Sequence, residues 1–339
     1  MKVKATSYKK LIAVSDGNII NIPNRVMRKP YTLEQQDRYL TENSICIVCD
    51  YSFYEKKIEW GKKVKAVCHP FRDTKIFPDN IDKYLLSESD FCDGMITPNK
   101  RVNSKWTTKN YDFVYFTIES PKGVKCKGYH LLPLIDRCAK RLNLKGLVVC
   151  YSNDSSKKIP KSSVYVSAFN SIKRKLPKLR NIDVVRRFFS MEELNNIMNA
   201  VKFVLVPSYA DASPRLLVEA IVRDRPVVVN ENIYGGWKYV NEKTGSFFKA
   251  PTPDEMYKRK WKFSSVDIKC LSSSMKYVLG MENKKKEIKD VFYENYGFRN
   301  SSIRLADIIN KISSTKYNAV AFKEWKSALK KVAKRDHWT

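Results

Sequence analysis

The chain has 339 residues, 43% of them hydrophobic, and 64 Lys and Arg stand against 35 Asp and Glu, for a formal net charge of +29. That length exceeds one ordinary core and predicts two domains. No stretch reaches about 18 uninterrupted apolar residues, which excludes a helix spanning a membrane, and the positive field selects a polyanionic partner: nucleic acid, an anionic membrane surface or a phosphorylated substrate. The alternative is a lysine-rich, solvated surface.

The first 17 residues combine basic residues with a short apolar run but carry no full hydrophobic region and no small-residue cleavage site, so no signal peptide is expected. The eight cysteines are scattered. Cys46 and Cys49 form a C-x-x-C inside an apolar run, with no second pair and no nearby histidine. They read as buried thiols in a reducing, cytoplasmic setting, the host cytoplasm if the chain is viral.

Residues 10–14, 44–50, 63–69 and 93–98 are short runs rich in β-branched residues and read as strands. Residues 31–43 are helix-like, with Thr32 as a candidate N-cap. Strands alternating with helices argue for βα units and a parallel sheet. Residues 99–111 are polar and basic and read as a hinge. The alternation then resumes: a strand at 112–118, a helix at 129–142 with Pro133 near its first turn, and strands at 146–152 and 182–189. The helix at 190–200 opens on Ser190 and Glu193, a capping box. A strand at 202–208, a helix at 214–222 and a strand at 226–230 follow. The expected class is α/β, with two Rossmann-like domains facing across a cleft, at 1–111 and 112–314. Residues 315–339 form a separate basic amphipathic helix, with Phe322, Trp325, Leu329 and Val332 on one face. It is expected to pack back on the N-terminal domain.

The chemistry concentrates at residues 208–220. Ligands of open α/β sheets sit beyond the C-terminal ends of strands, and Asp211 lies three residues past Ser208 at such an end. A helix beginning near Pro214 suits that place, because proline is favoured at the first helical position. Its free N–H groups would suit an anion such as a diphosphate. Glu219, further along, would reach a hydroxyl beside it. Acid-x7-acid alone is a weak pattern.

Its surroundings are more specific. Residues 192–248 contain Pro207-Ser208, Asp211, Glu219-Ala220, Pro226-Val227-Val228, Gly235-Gly236 and Thr244-Gly245. This stretch resembles the donor half of family 4 retaining glycosyltransferases of the GT-B fold. The resemblance implies that Asp211 contacts a donor sugar and Glu219 its ribose, with Ser213, Arg215 and Leu216 also binding the donor. The family carries Glu where this chain has Asp211, and a Gly-rich loop where it has Ala212, Ser213 and Pro214. The shorter acid points to a different or smaller sugar.

Residues 117–142 resemble the family's first strand–loop–helix of the donor domain. That likeness implies that Lys122, where the family prefers Arg, and Lys127, before Gly128, bind the diphosphate. Two cations neutralise a departing diphosphate without a metal, and no Asp-x-Asp occurs in the chain. The expected donor is a UDP-sugar, with a GDP-sugar as the alternative, and no other cofactor. His69, at a strand end, matches the family's cleft histidine; the bland alternative is a structural residue. Gly17 falls where the family has a glycine-containing loop. Front-face transfer, as argued for the family, needs cations around the leaving group rather than a carboxylate nucleophile.

For the acceptor, residues 28–53 look like the first helix and second strand of phage DNA α-glucosyltransferases. A hydroxymethylated base in DNA would account for the charge through phosphate contacts, and the base would have to leave the stack. The basic runs 173–180 and 257–262 and the terminal helix are the candidate contacts. Two alternatives stand beside this: a glycan or lipid acceptor at an anionic membrane surface, and a non-catalytic nucleic-acid-binding module. Selection of the donor nucleotide's base, as distinct from any acceptor base, is placed near Arg186–Ser190, and the expected state is a monomer.

Overall fold

The computed structural model describes residues 11–15, 18–22, 44–47, 64–75, 77, 79–87, 89–90, 111–151, 159–160, 162–187, 189–211, 214–281 and 287–312. The chain divides into two compact units. One comprises residues 1–97, 212–215 and 293–339, the other residues 98–211 and 216–292.

The first unit holds a five-stranded sheet in the order β2-β1-β3-β4-β5. Its strands are β1 (Leu11–Ser15), β2 (Asn18–Ile22), β3 (Ser44–Ile47), β4 (Val64–His69) and β5 (Asp82–Leu85). β3, β4 and β5 run parallel, as βα units require. β1 does not: it pairs antiparallel with both β2 and β3. The all-parallel expectation therefore fails at the N-terminus. Ser15 faces Asn18 across the β1–β2 pair. Two linking residues suffice for a hairpin, whereas a parallel crossover needs a dozen or more. Asp-Gly between two apolar runs is the sequence signal of such a hairpin. β5 was not anticipated, being short and half-exposed with charged residues, as edge strands often are. The strand expected at 93–98, the helix at 31–43 and the terminal helix at 315–339 lie outside the described residues. Helix Gly297–Ile312 belongs to this unit. Its Ser301 hydroxyl donates to the Asp90 carbonyl at 3.1 Å.

The second unit is a six-stranded sheet, parallel throughout. In chain order it comprises β6 (Phe113–Ile118), α1 (Pro121–Lys127), α2 (Leu132–Arg141), β7 (Gly146–Tyr151), α3 (Val164–Lys175) and β8 (Ile182–Val185). Then come α4 (Met191–Ala200), β9 (Phe203–Val206), α5 (Arg215–Ile221), β10 (Val227–Asn230), β11 (Gly245–Phe248), α6 (Pro253–Lys258) and α7 (Ser265–Gly280). The strand order is β11-β10-β9-β6-β7-β8. Counted from β6, this is the doubly wound order of a dinucleotide-binding sheet.

Burial on both faces explains why these strands are nearly continuous apolar runs. Phe113, Tyr115, Val148, Cys150, Phe203, Leu205 and Val228 pack with Leu134, Ile135 and Cys138 of α2 and with Leu271 and Met275 of α7. The alternate residues Val114, Leu147, Val149, Val204 and Val229 are equally buried. Phe113 and Phe203, register partners on adjacent strands, stack with ring centroids 5.2 Å apart. Each fully buried side chain of this size contributes about 1.5–3 kcal/mol. The predicted capping box of α4 is present: Glu193 N donates to Ser190 Oγ at 3.1 Å, and Ser190 N to Glu193 Oε2 at 3.0 Å. α6 and α7 begin with the same device, at Thr252–Glu255 and Ser264–Asp267.

Candidate functional site

The order of winding across the sheet reverses between β6 and β9, adjacent parallel strands from which its two halves are built outwards. In this topology the ligand crevice lies beyond the C-terminal ends of those two strands. β6 leads into α1 and β9 leads to Asp211, so the sequence delivers Lys127 and Asp211 to one place from 84 residues apart. Lys127 Nζ donates to Asp211 Oδ2. The lysine side chain is 33% exposed and the aspartate 16%. An ammonium carries three N–H donors, so Lys127 can serve Asp211 and still offer hydrogen bonds to a ligand.

The segment expected as a loop between β6 and the next helix is itself helical. Ser120 caps it, accepting from Gly123 N at 3.3 Å, and Pro121 occupies its first turn. Gly128 ends it in the left-handed conformation, φ 71°. A Cβ on Gly128 would lie 2.4 Å from the Pro207 carbonyl oxygen, so glycine lets the end of α1 reach the end of β9. Three further bonds fix the two shoulders. Tyr115 OH donates to the Lys127 carbonyl, Tyr209 N to the Cys126 carbonyl at 3.0 Å, and Gly235 N to the Asp211 carbonyl at 2.9 Å. The Gly235-Gly236 loop thus braces the aspartate backbone.

Lys122 sits at the start of α1 and is exposed. Five positions apart on a helix is about 140° of rotation, so Lys122 and Lys127 do not share one face. Both lie near Cys126, whose thiol is pushed up by burial; Lys127, Lys122 and Lys125 oppose that rise and Asp211 adds to it. The sequence reading missed Lys125, a third cation in the last turn of α1.

Glu219 lies in α5, half-buried, and its backbone carbonyl accepts from Arg223 Nη1 at 2.5 Å. It is close enough to Tyr151, the last residue of β7, that burial and then the Glu219 carboxylate push that phenol up to about 12. Arg215 and Leu216 open α5; Ser213 lies outside the described residues. α5 is seven residues long, shorter than the helix expected at 214–222. Along the same sheet edge, Arg186 Nε donates to Glu119 Oε2 at 2.5 Å. Glu119 follows β6 directly, and Arg186 follows β8. Arg187, next along, pairs with Glu193 and lies 4.0 Å over the Phe189 ring. Glu119 and Tyr151 were not singled out from sequence. Their position at strand C-terminal ends was the available signal.

His69 ends β4 as expected, in the first unit. It is 2% exposed, its Nδ1 accepts from Phe71 N at 3.2 Å, and its ring meets Phe77 at 5.0 Å. His69, Phe71 and Phe77 thus form a packed aromatic cluster. Gly17 lies outside the described residues, between the paired strands β1 and β2.

No protein-family profile matches the chain, and no curated protein matches it. Solved structures do match. The pneumococcal O-GlcNAc transferase GtfA, crystallised with UDP and GlcNAc, is 10% identical over 78% of this chain and 48% of its own, with a TM-score of 0.46. A glycosyltransferase from Rickettsia africae is 11% identical over 86% of this chain and 68% of its own, with a TM-score of 0.47. TarM from S. aureus, in complex with fondaparinux, alpha-GlcNAc-glycerol and UDP, is 15% identical over 78% and 47%, with a TM-score of 0.49. The chain spans about half the length of GtfA and of TarM.

Among the described residues, no three His, Cys, Asp or Glu side chains converge as metal ligands would. Nor is any described helix long and apolar enough to cross a membrane.

Proposed function

We propose that this chain is a GT-B glycosyltransferase that moves a sugar from a nucleoside-diphosphate donor, a UDP-sugar first and a GDP-sugar second, to a hydroxyl acceptor with retention of configuration. The favoured acceptor is a hydroxymethylated base in DNA. One observation carries the donor half: Lys127 and Asp211 meet at the switch point of a doubly wound sheet, where such sheets bind nucleotides. A cation for the diphosphate and an acid for the sugar is the pairing the motif resemblance implies for these two residues.

In the transfer, the bond from the anomeric carbon to the phosphate oxygen breaks as a bond to the acceptor oxygen forms. The acceptor's proton passes to the departing phosphate oxygen. Negative charge grows on the diphosphate, and Lys127, with Lys122 and Lys125 near it, opposes that charge. Such preorganised donors are commonly worth about 10²–10³ in rate each. Asp211 holds the sugar and Lys127 in register, and Glu219 takes the ribose. The acceptor half rests on the net charge of +29 and on the likeness of residues 28–53.

The test is to incubate the protein with a panel of nucleotide sugars and hydroxymethylated duplex DNA, and to read the product mass. One added sugar residue on the DNA is the expected result, lost in Glu219→Ala. Transfer to glycan or lipid acceptors with none to DNA would overturn the acceptor half alone. No transfer and no donor hydrolysis with any nucleotide sugar would leave a binding module and sink the enzyme reading.

A further inference from the structure

The two basic runs, 173–180 and 257–262, are far apart in sequence but adjacent in the fold. α3 packs against α6, and Lys175 Nζ donates to the Trp261 carbonyl at 3.3 Å. Neither run contains an acidic residue. Lys173, Arg174, Lys178, Lys258, Lys260 and Lys262 are exposed, and among the described residues none has a carboxylate within ion-pair distance. Arg259 is matched, to Asp267 at 3.0 Å. Lys175 is pushed below its ordinary value, first by burial and then by Arg137 and Arg174, so α2 adds charge to the same field.

The turn joining α6 to α7 is built at a cost. Lys260 and Trp261 are consecutive non-glycine residues in the left-handed region, at φ 50° and 59°, where side chains are disfavoured. Trp261 N donates to the Met256 carbonyl at 2.7 Å, which holds the turn. Three apolar residues of the runs face inwards: Leu176, Leu179 and Trp261 pack against the core. Tyr257 does not; it is 58% exposed, and its ring meets Trp261 edge-on at 6.2 Å.

We infer that this face of the second unit is a docking surface for the phosphate backbone of a nucleic acid, with Tyr257 as its one exposed ring. Lysines and arginines without matching acids attract a polyphosphate, and an exposed aromatic among them is a base-stacking platform. A bilayer would instead call for several outward apolar anchors, whereas Leu176 and Leu179 of the first run and Trp261 of the second pack against the core. This deepens the acceptor half of the proposed function and rests on that half. Binding is measured without a donor, so its failure is separable from failure of sugar transfer.

The test is fluorescence anisotropy of the full chain with a labelled duplex of about two helical turns across a salt series. The triple variant Lys178→Gln, Lys258→Gln, Lys262→Gln is set against a control of equal charge, Lys243→Gln, Lys249→Gln, Lys276→Gln. Those control lysines are exposed residues of the same unit, and matched thermal melts of both variants exclude unfolding. The expected result is a loss of about tenfold or more in affinity, with a log–log salt slope shallower by about two to three, for the first variant only. Equal weakening in both variants would reduce the effect to net charge and overturn the surface. So would wild-type affinity in the first variant. Wild-type sedimentation with phosphatidylserine vesicles, without a duplex shift, would assign the face to a membrane and also overturn it.

Discussion

His130 and Tyr209 stack with ring centroids 5.6 Å apart, and both hydrogen-bond the same carbonyl, that of Pro251. The Tyr209 hydroxyl donates at 2.6 Å, and His130 Nε2 lies at 3.2 Å. A carbonyl only accepts, so the imidazole carries its proton on Nε2. His130 stands three residues after Lys127, and Tyr209 two before Asp211. The stack therefore buttresses both shoulders of the lysine–aspartate bridge from within the core.

Acid sensitivity follows from that burial. His130 is fully buried, and desolvation lowers its pKa from 6.5 to about 4, against a smaller opposing effect from the Pro251 carbonyl. Between those values the unfolded chain takes up a proton that the folded chain refuses. The His130 contribution is thus intact above pH 6.5, is lost as pH falls towards 4, and amounts to about 3 kcal/mol at most. Urea midpoints measured from pH 7 to pH 4.5 should fall. In His130→Gln, which keeps an N–H donor but does not titrate, the same series should be flatter. An unchanged slope would mean that other groups govern the acid limb.

Two glycines set the course of α1 and give sharper contrasts. A Cβ on Gly123 would lie 1.7 Å from the Ile118 carbonyl oxygen, and one on Gly128 2.4 Å from that of Pro207, with φ at 71°. Neither oxygen belongs to a side chain that can swing away. Gly123→Ala and Gly128→Ala should each cost about 2 kcal/mol or more in denaturant unfolding. Gly280 has nothing within 4 Å of such a Cβ, so Gly280→Ala should be neutral or stabilising by up to about 1 kcal/mol. Equal behaviour of the three variants would contradict the close approach of α1 to β6 and β9.

The second unit was the more legible half, for physical reasons. Strands buried on both faces, such as Val227–Asn230, read as apolar runs, and Ser190 with Glu193 announces its own helix. α1 was hidden because Lys122, Gly123 and Lys125 look like a loop; its helicity comes from the Ser120 cap, Pro121 and packing. In the first unit Asp82–Leu85 carries charge at a sheet edge and gives no hydropathy signal. The pairing of Lys127 with Asp211 was visible as two motifs, but their meeting depends on strand order, which local sequence does not encode.

The Ser190 cap can be tested apart from any activity. Its hydroxyl satisfies Glu193 N, while the Glu193 carboxylate serves Ser190 N and Arg187 together. Glu193 is held below its usual range first by Arg187 and also by the Ser190 bonds. Ser190→Ala should cost about 1 kcal/mol in thermal or urea unfolding. No measurable loss would show that Arg187 alone fixes Glu193 and that the hydroxyl is dispensable.

The lysine–aspartate bridge makes the most discriminating prediction, because loss of either member should lower transfer while the two should move UDP affinity in opposite directions. Lys127→Ala removes a cation from the proposed diphosphate site and leaves Asp211 as an unpaired negative charge beside it. UDP affinity by calorimetry should fall at least about tenfold, and kcat/KM for transfer by about 10²–10³. Asp211→Asn removes a negative charge from the same site and frees Lys127 for the phosphate. UDP should bind as well as before or more tightly, while transfer drops because the sugar loses its acid. If Asp211→Asn instead weakened UDP as much as Lys127→Ala does, the aspartate would serve only to position the lysine. The sugar contact would then have to come from another residue.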